Sequence, residues 1–110
     1  MVQLSHIYET SIREADLCFA LADPKRIDII HALDKHPFNV NELTAELGIP
    51  QPMTSRHLKI LRERGLVHST RHGVSVTYAL SDRRILQALE LLIHIQQERL
   101  EPDDETQPSG

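Results

Sequence analysis

The stretch NVNELTAELGIPQPMTSRHLKILRERGLV, residues 39–67, decides the fold. Asn41 can cap a short helix over residues 42–47, because its side-chain oxygen accepts from the backbone N–H groups that a first turn leaves unpaired. Gly48 ends that helix, since glycine takes a left-handed C-terminal position without a Cβ clash. Ile49 and Pro50 make the turn. A second helix runs from about Gln51 to Arg64, with Thr54, Leu58 and Leu61 facing inward at i, i+4 and i+7 and Gly65 as its stop. Its outward stripe is Gln51, Pro52, Ser55, Arg56, Lys59 and Arg62. A short helix, a glycine turn and a second helix with a basic, amide- and hydroxyl-bearing outer face form the arrangement that inserts a helix into a DNA major groove. Gln51 and Arg56 are types that bond adenine and guanine edges in pairs, and Ser55 can bond a base or a phosphate. Lys59 and Arg62, nearer the helix end, suit backbone phosphates.

Downstream, the period changes from helical spacing to two. Val67, Ser69 and Arg71 alternate with His68 and Thr70, and Val74, Val76 and Tyr78 alternate with Ser75 and Thr77. His72-Gly73 reads as the tight turn between them, so Arg71 and His72 bring positive charge to a narrow wing tip that can approach a minor groove or phosphate, with Arg64 adding to it. Ser81 or Asp82 caps a last helix reaching about Leu100. Upstream, Leu4, Ile7, Tyr8, Ile12, Ala15, Cys18, Phe19 and Ala22 form one face of a helix over residues 4–22. Asp23-Pro24 opens another, carrying Ile27, Ile30 and Leu33 and ending near His36-Pro37. The expected fold is therefore mainly α with a small β-hairpin: a winged helix-turn-helix in the order helix, helix, helix, helix, strand, strand, helix. Residues 1–100 form the DNA-binding and dimerisation domain. Residues 101–110, EPDDETQPSG, hold no apolar residue and read as an acidic disordered tail.

Composition fits this reading. A chain of 110 residues holds one core. With 40% apolar residues but only 4% aromatic, that core is built from Leu, Ile, Val and Ala. No apolar run approaches the roughly 20 residues that span a bilayer, and no signal-peptide pattern opens the chain, so a cytoplasmic location with no membrane partner is expected. Cys18 is the sole cysteine, which excludes an intramolecular disulfide framework. The net charge of −4 conceals a division. Residues 51–84 carry seven basic and two acidic side chains, whereas residues 85–110 carry one and six. A basic face on an acidic body attracts a polyanion locally. There is no glycine-rich phosphate loop, nucleophile elbow or metal-binding histidine pair, so no enzyme and no cofactor is expected.

The last helix carries two apolar sides: Ile85, Leu89, Leu92 and Ile93 on one, Ala88, Leu91 and Ile95 on the other. One side can pack on the chain's own core. The other needs a partner subunit, because so small a domain has little material to cover both.

These features together resemble the ArsR/SmtB winged-helix repressors. The likeness spans nearly the whole chain and rests on LADPKRIDIIHAL (residues 21–33), the 39–67 stretch above, and HGVSVTYALSD (residues 72–82). The resemblance implies a homodimer on an imperfect palindrome, an interface formed by the first and last helices, and DNA contacts at Gln51, Ser55 and Arg56.

The sensor positions of that family are not filled in the usual way. Where arsenic-type members place two cysteines, this chain has Asn39 and Asn41, neither of which supplies a thiolate. The zinc-type positions on the last helix correspond to Asp82, Arg84, Ile95 and Glu98, which lack both imidazoles. The thiol-switch positions correspond to His31 and Gln97. Cys18 reads as small core filling on an apolar stripe. The expectation is a DNA-binding repressor on an inverted repeat, without the family's cysteine or histidine metal sites and with its effector unknown. The alternatives are an effector-responsive sensor using Cys18 or a non-standard His31/His94 metal site near Glu98, and a winged-helix module for protein-protein contact.

Overall fold

The computed structural model describes residues 4–100, with side chains from residue 7 onward; the expected acidic tail lies outside the described residues. The element order is α1 (Leu4–Ala20), α2 (Pro24–Lys35), β1 (Phe38–Asn39), α3 (Val40–Leu47), α4 (Gln51–Glu63), β2 (Val67–His72), β3 (Ser75–Leu80) and α5 (Arg84–Leu100). This is a winged helix-turn-helix.

The core lies where α2, α3 and α4 meet the sheet. Ile29, Ile30 and Leu33 of α2, Leu43 of α3, and Leu58 and Leu61 of α4 are buried, together with Phe38, Leu66, Val67 and Leu86. Burying a Leu or Ile side chain fully contributes about 1.5–3 kcal/mol, so this cluster holds the α2–α4 wedge together. α2 begins as its sequence dictates: the Asp23 carboxylate accepts from the Lys25 N–H at 2.8 Å, and Pro24 occupies the first turn, where its missing N–H costs nothing.

Four boundaries differ from the sequence reading. α3 is capped by Asn39, not Asn41. The Asn39 side chain accepts from the Glu42 N–H at 2.8 Å, and the Glu42 carboxylate accepts from the Asn39 N–H at 2.9 Å, closing a reciprocal capping box. Asn39 also belongs to a third, unexpected strand. Phe38 and Asn39 pair antiparallel with Tyr78 and Thr77, giving the sheet order β1-β3-β2. In the wing, His72 pairs with Ser75, so the turn residues are Gly73 and Val74 rather than His72 and Gly73. Gly73 takes φ +64 at the first turn position while no non-glycine residue among the described residues, Val74 included, has positive φ, the distribution a type II′ hairpin requires. Finally, α1 ends at Ala20, short of the expected Ala22.

The two terminal helices stand apart from the core. Among the described residues, every exposed large hydrophobic except Val74 lies on α1 (Ile7, Tyr8, Ile12, Leu17, Phe19) or α5 (Leu91, Leu92, Ile93, Ile95, Leu100). Within α5 only Leu86 is buried, with Ile85 and Leu89 packed partly against the core. Leu92 and Ile93, on the same apolar side as Ile85 and Leu89 in the sequence reading, are exposed in the single chain. Cys18 is also exposed. It is not core filling; it lines an apolar cavity of about 480 Å³ between the end of α1 and α5.

Candidate nucleic-acid interface

α4 is positioned from beneath by Thr54. This side chain is fully buried, and its hydroxyl accepts from the Thr44 hydroxyl at 3.2 Å while lying 3.2 Å from the Pro50 carbonyl to which it can donate. The contact joins α3 to α4 across the turn. Gly48 makes that turn possible at φ +67, with its N–H donating to the Thr44 carbonyl at 2.9 Å. Ile49 is then buried and anchors the loop. With Thr54, His57, Leu58 and Leu61 inward and Ile60 packed partly on the core, helical geometry turns the polar positions of α4 outward.

All eight sequence-predicted site residues, Gln51, Pro52, Ser55, Arg56, Lys59, Arg62, Arg71 and His72, are exposed. The first six lie on α4 and the last two at the end of β2. Gln51 is brought against the wing tip: it shares a cleft of about 270 Å³ with Asn39, Asn41, Val74, Ser75 and Val76. Arg71 and His72 do not line that cleft. The sequence reading did not include Asn41, Val74 or Ser75 beside Gln51, because the hairpin's approach to α4 is a long-range relationship.

The charges in residues 51–84 separate into two kinds. Arg64, Arg83 and Arg84 are paired: Arg64 with Asp16 at 2.9 Å, Arg83 with Asp34 at 2.8 Å, and Arg84 with Asp82 at 2.7 Å. Arg56, Lys59, Arg62 and Arg71 make no ion pair among the described residues. Arg64 therefore does not add to the wing as expected; its guanidinium reaches back to α1. The four unpaired cations all fall on the outer face of α4 or on the wing.

Two inward residues were missed. His57 is buried, with its Nδ1 3.2 Å from a guanidinium nitrogen of Arg26, itself buried on α2. Burial pushes the His57 pKa below its ordinary value, aided by Arg26, Arg56 and Lys25 and opposed by Asp23. The Lys25 N–H holds the Asp23 carboxyl below the usual carboxylate range. The helical spacing 54, 57, 58, 61 places His57 inward, but nothing local in the sequence points to Arg26 as its partner.

At the sensor positions, Arg84 occupies the Asp82 carboxylate and lowers its pKa to about 2, through side-chain and then backbone hydrogen bonds. Glu98 is 2.9 Å from His94. His31 and His94 line one cavity of about 490 Å³ between α2 and α5, together with Glu90 and Gln97. Among the described residues no three His, Cys, Asp or Glu side chains cluster so as to hold a metal ion, and no helix is long and apolar enough to cross a membrane.

Comparison with known proteins supplies the family. The family model described as bacterial regulatory protein, arsR family, matches residues 23–69, the segment from the α2 cap into β2. The HTH-type transcriptional repressor SmtB of Mycobacterium tuberculosis is 43% identical over 70 residues, covering 64% of this chain and 52% of the repressor; the chain thus spans about half the length of that relative. The biofilm growth-associated repressor of Xylella fastidiosa is 33% identical over 81 residues, covering 74% of this chain and 71% of the repressor. The crystal structure of NolR from Sinorhizobium fredii superposes with a TM-score of 0.76 at 28% identity, covering 86% of this chain and 95% of NolR. With the 23–69 segment matching the family model and its flanking helices folded as in NolR, the chain is a member of the ArsR family of bacterial regulatory proteins.

Proposed function

We propose that the chain is a homodimeric transcriptional repressor that binds an inverted-repeat operator, not an enzyme. Gln51, Ser55 and Arg56 read base edges from α4 in the major groove, Pro52 packs beside them, Lys59 and Arg62 bind phosphates, and Arg71 and His72 contact the duplex from the wing. The observation that carries this reading is that, within the basic segment 51–84, the cations left without an ion pair all lie on α4 or the wing, while Arg64, Arg83 and Arg84 are neutralised. The exposed apolar faces of α1 and α5 support the dimer, since a patch of this extent on a lone subunit marks a protein interface. Two α4 helices related by a two-fold axis enter successive major grooves about 34–36 Å apart. Selection of bound sequences from a random duplex pool tests the reading. Inverted repeats with steeply salt-dependent affinity are expected; salt-independent binding, or no enrichment, overturns it.

A second reading adds an effector to the same DNA-binding protein. It is favoured by the placement of His31 and His94 on one cavity. Divalent metals titrated into the protein-duplex complex test it, and release of DNA by none of them overturns the His31/His94 assignment.

A further inference from the structure

Arg26 is the only buried arginine or lysine among the described residues. Its Nε donates to the Ala20 carbonyl at 2.7 Å and its Nη2 to the Phe19 carbonyl at 2.9 Å, while its Nη1 reaches the Nδ1 of His57 at 3.2 Å. The last turn of α1 has no basic residue of its own, so Arg26 supplies the cation and the donors that its orphan carbonyls need. A second arginine makes a parallel tie. Arg64, at the C-terminal end of α4, donates from Nε to the Asp16 carbonyl at 3.2 Å and pairs through Nη2 with the Asp16 carboxylate. Both guanidiniums lie over the Phe19 ring, at 5.2 and 5.1 Å from its centre. Ala20 is the one buried residue of α1 among the described side chains, so this last turn is where the helix is anchored.

We propose that Arg26 and His57 are positioning residues for DNA recognition: through them the C-terminal end of α1 sets the seat of α4, and protonation of His57 releases the link. A guanidinium has only donors, so Nδ1 of His57 accepts and the ring is neutral with its proton on Nε2. An imidazolium would oppose a second cation across 3.2 Å. The charged groups acting on the ring are Asp23, Lys25 and Arg26 from the start of α2 and Arg56 from α4; only Asp23 favours the proton. The link is therefore intact at neutral pH and lost as pH falls through the lowered His57 value. His57 sits beside Arg56 in the chain, so displacement of its ring moves the face that carries the reading residues.

This inference rests on the DNA-binding reading above, and the test separates the two. The probe is a duplex recovered by the random-pool selection, and its affinity is measured between about pH 7.5 and 4.5, a window that extends well below the ordinary imidazole value, for the wild type, His57→Asn and Arg26→Lys. The Asn carbonyl oxygen stands near the place of Nδ1 and does not titrate. His57→Asn is expected to bind within about threefold of wild type at the upper pH, while wild type loses about tenfold more affinity than the variant on acidification. Arg26→Lys is expected to bind about tenfold more weakly at the upper pH, because an ammonium cannot serve three acceptors in one plane. The other histidines are the same in all three proteins, so whatever they contribute cancels in the comparison. Equal pH profiles for wild type and His57→Asn overturn the proposal. If that variant does not fold, the imidazole nitrogen shifts of the wild type decide: protonated Nε2 and bare Nδ1 at neutral pH support the link, and the reverse tautomer overturns it. Absence of duplex binding by the wild type at every pH is a different result and removes the DNA reading together with this one.

Discussion

The Thr44 and Thr54 hydroxyls meet at 3.2 Å between α3 and α4, with Thr54 fully buried. Its oxygen accepts from one helix and has the Pro50 carbonyl within donating distance, so one hydroxyl fixes the angle of the helix-turn-helix. Thr54→Val keeps the shape and removes both bonds. A loss of about 0.5–1.5 kcal/mol per hydrogen bond is expected in urea denaturation, and an unchanged midpoint contradicts the role given to this pair.

Asn39→Ala is expected to destabilise the protein by about 1 kcal/mol, because the α3 capping box closes through that side chain. Asn41→Ala, at an exposed position two residues later, is expected to change stability by less than about 0.5 kcal/mol. Denaturant titrations of the two variants side by side check the order; a larger effect at Asn41 restores the sequence-based assignment.

Single replacements of Lys59 or Arg62 by Ala are expected to reduce the salt dependence of duplex binding by about one unit of slope for each phosphate that is no longer neutralised. Arg83→Ala serves as the contrast. Its guanidinium is occupied by Asp34, so the slope is expected to stay as in wild type. Equal slopes across all three variants would remove the distinction between paired and free cations.

Leu92→Glu and Ile12→Glu are expected to convert the proposed dimer to monomer in sedimentation experiments. Both positions are at least half exposed in the single chain, so the substitutions cost the isolated fold little, and weakened duplex binding then follows from lost pairing. A dimer that persists in both variants excludes the α1/α5 face as the interface.

The Asp82 carboxylate has a pKa lowered to about 2 by Arg84. A lowered folded value means that its contribution to stability is fully present above the ordinary 3.8 and is lost as pH falls through about 2. The Arg84 amide, which donates to Asp82 at 2.8 Å, reports this directly by NMR. A midpoint near 2 is expected, and one at or above 3.8 shows that the pair does not form in solution.

The helical faces were legible in the sequence because period 3.6 repeats over many residues: Thr54, Leu58 and Leu61 inward and the six α4 site residues exposed are as spacing dictates. What escaped has a physical pattern. β1 is two residues long and carries no periodicity, so only its pairing with Tyr78 and Thr77 reveals it. The α3 cap was misassigned although Asn39 and Glu42 show the three-residue spacing of a capping box and Asn41 has no acid at that distance. Arg64 was given to the wing because nearness in sequence favoured it, whereas its partner Asp16 lies 48 residues away. On α5 the two apolar sides do not say which residues the chain's own core will cover: Leu86, which belongs to neither side of the sequence reading, is the buried one.

Asn39 is at once the last residue of β1 and the cap of α3, and β1 is hydrogen-bonded to the strand that forms one arm of the wing. The hairpin and the helix-turn-helix are thus tied through one residue, which sets the stagger between α4, the proposed groove-reading helix, and the wing tip. A duplex docking on such a head must itself supply the flexure that brings both contacts into register. Base steps that the protein never touches then enter its choice of site, through the ease with which they yield.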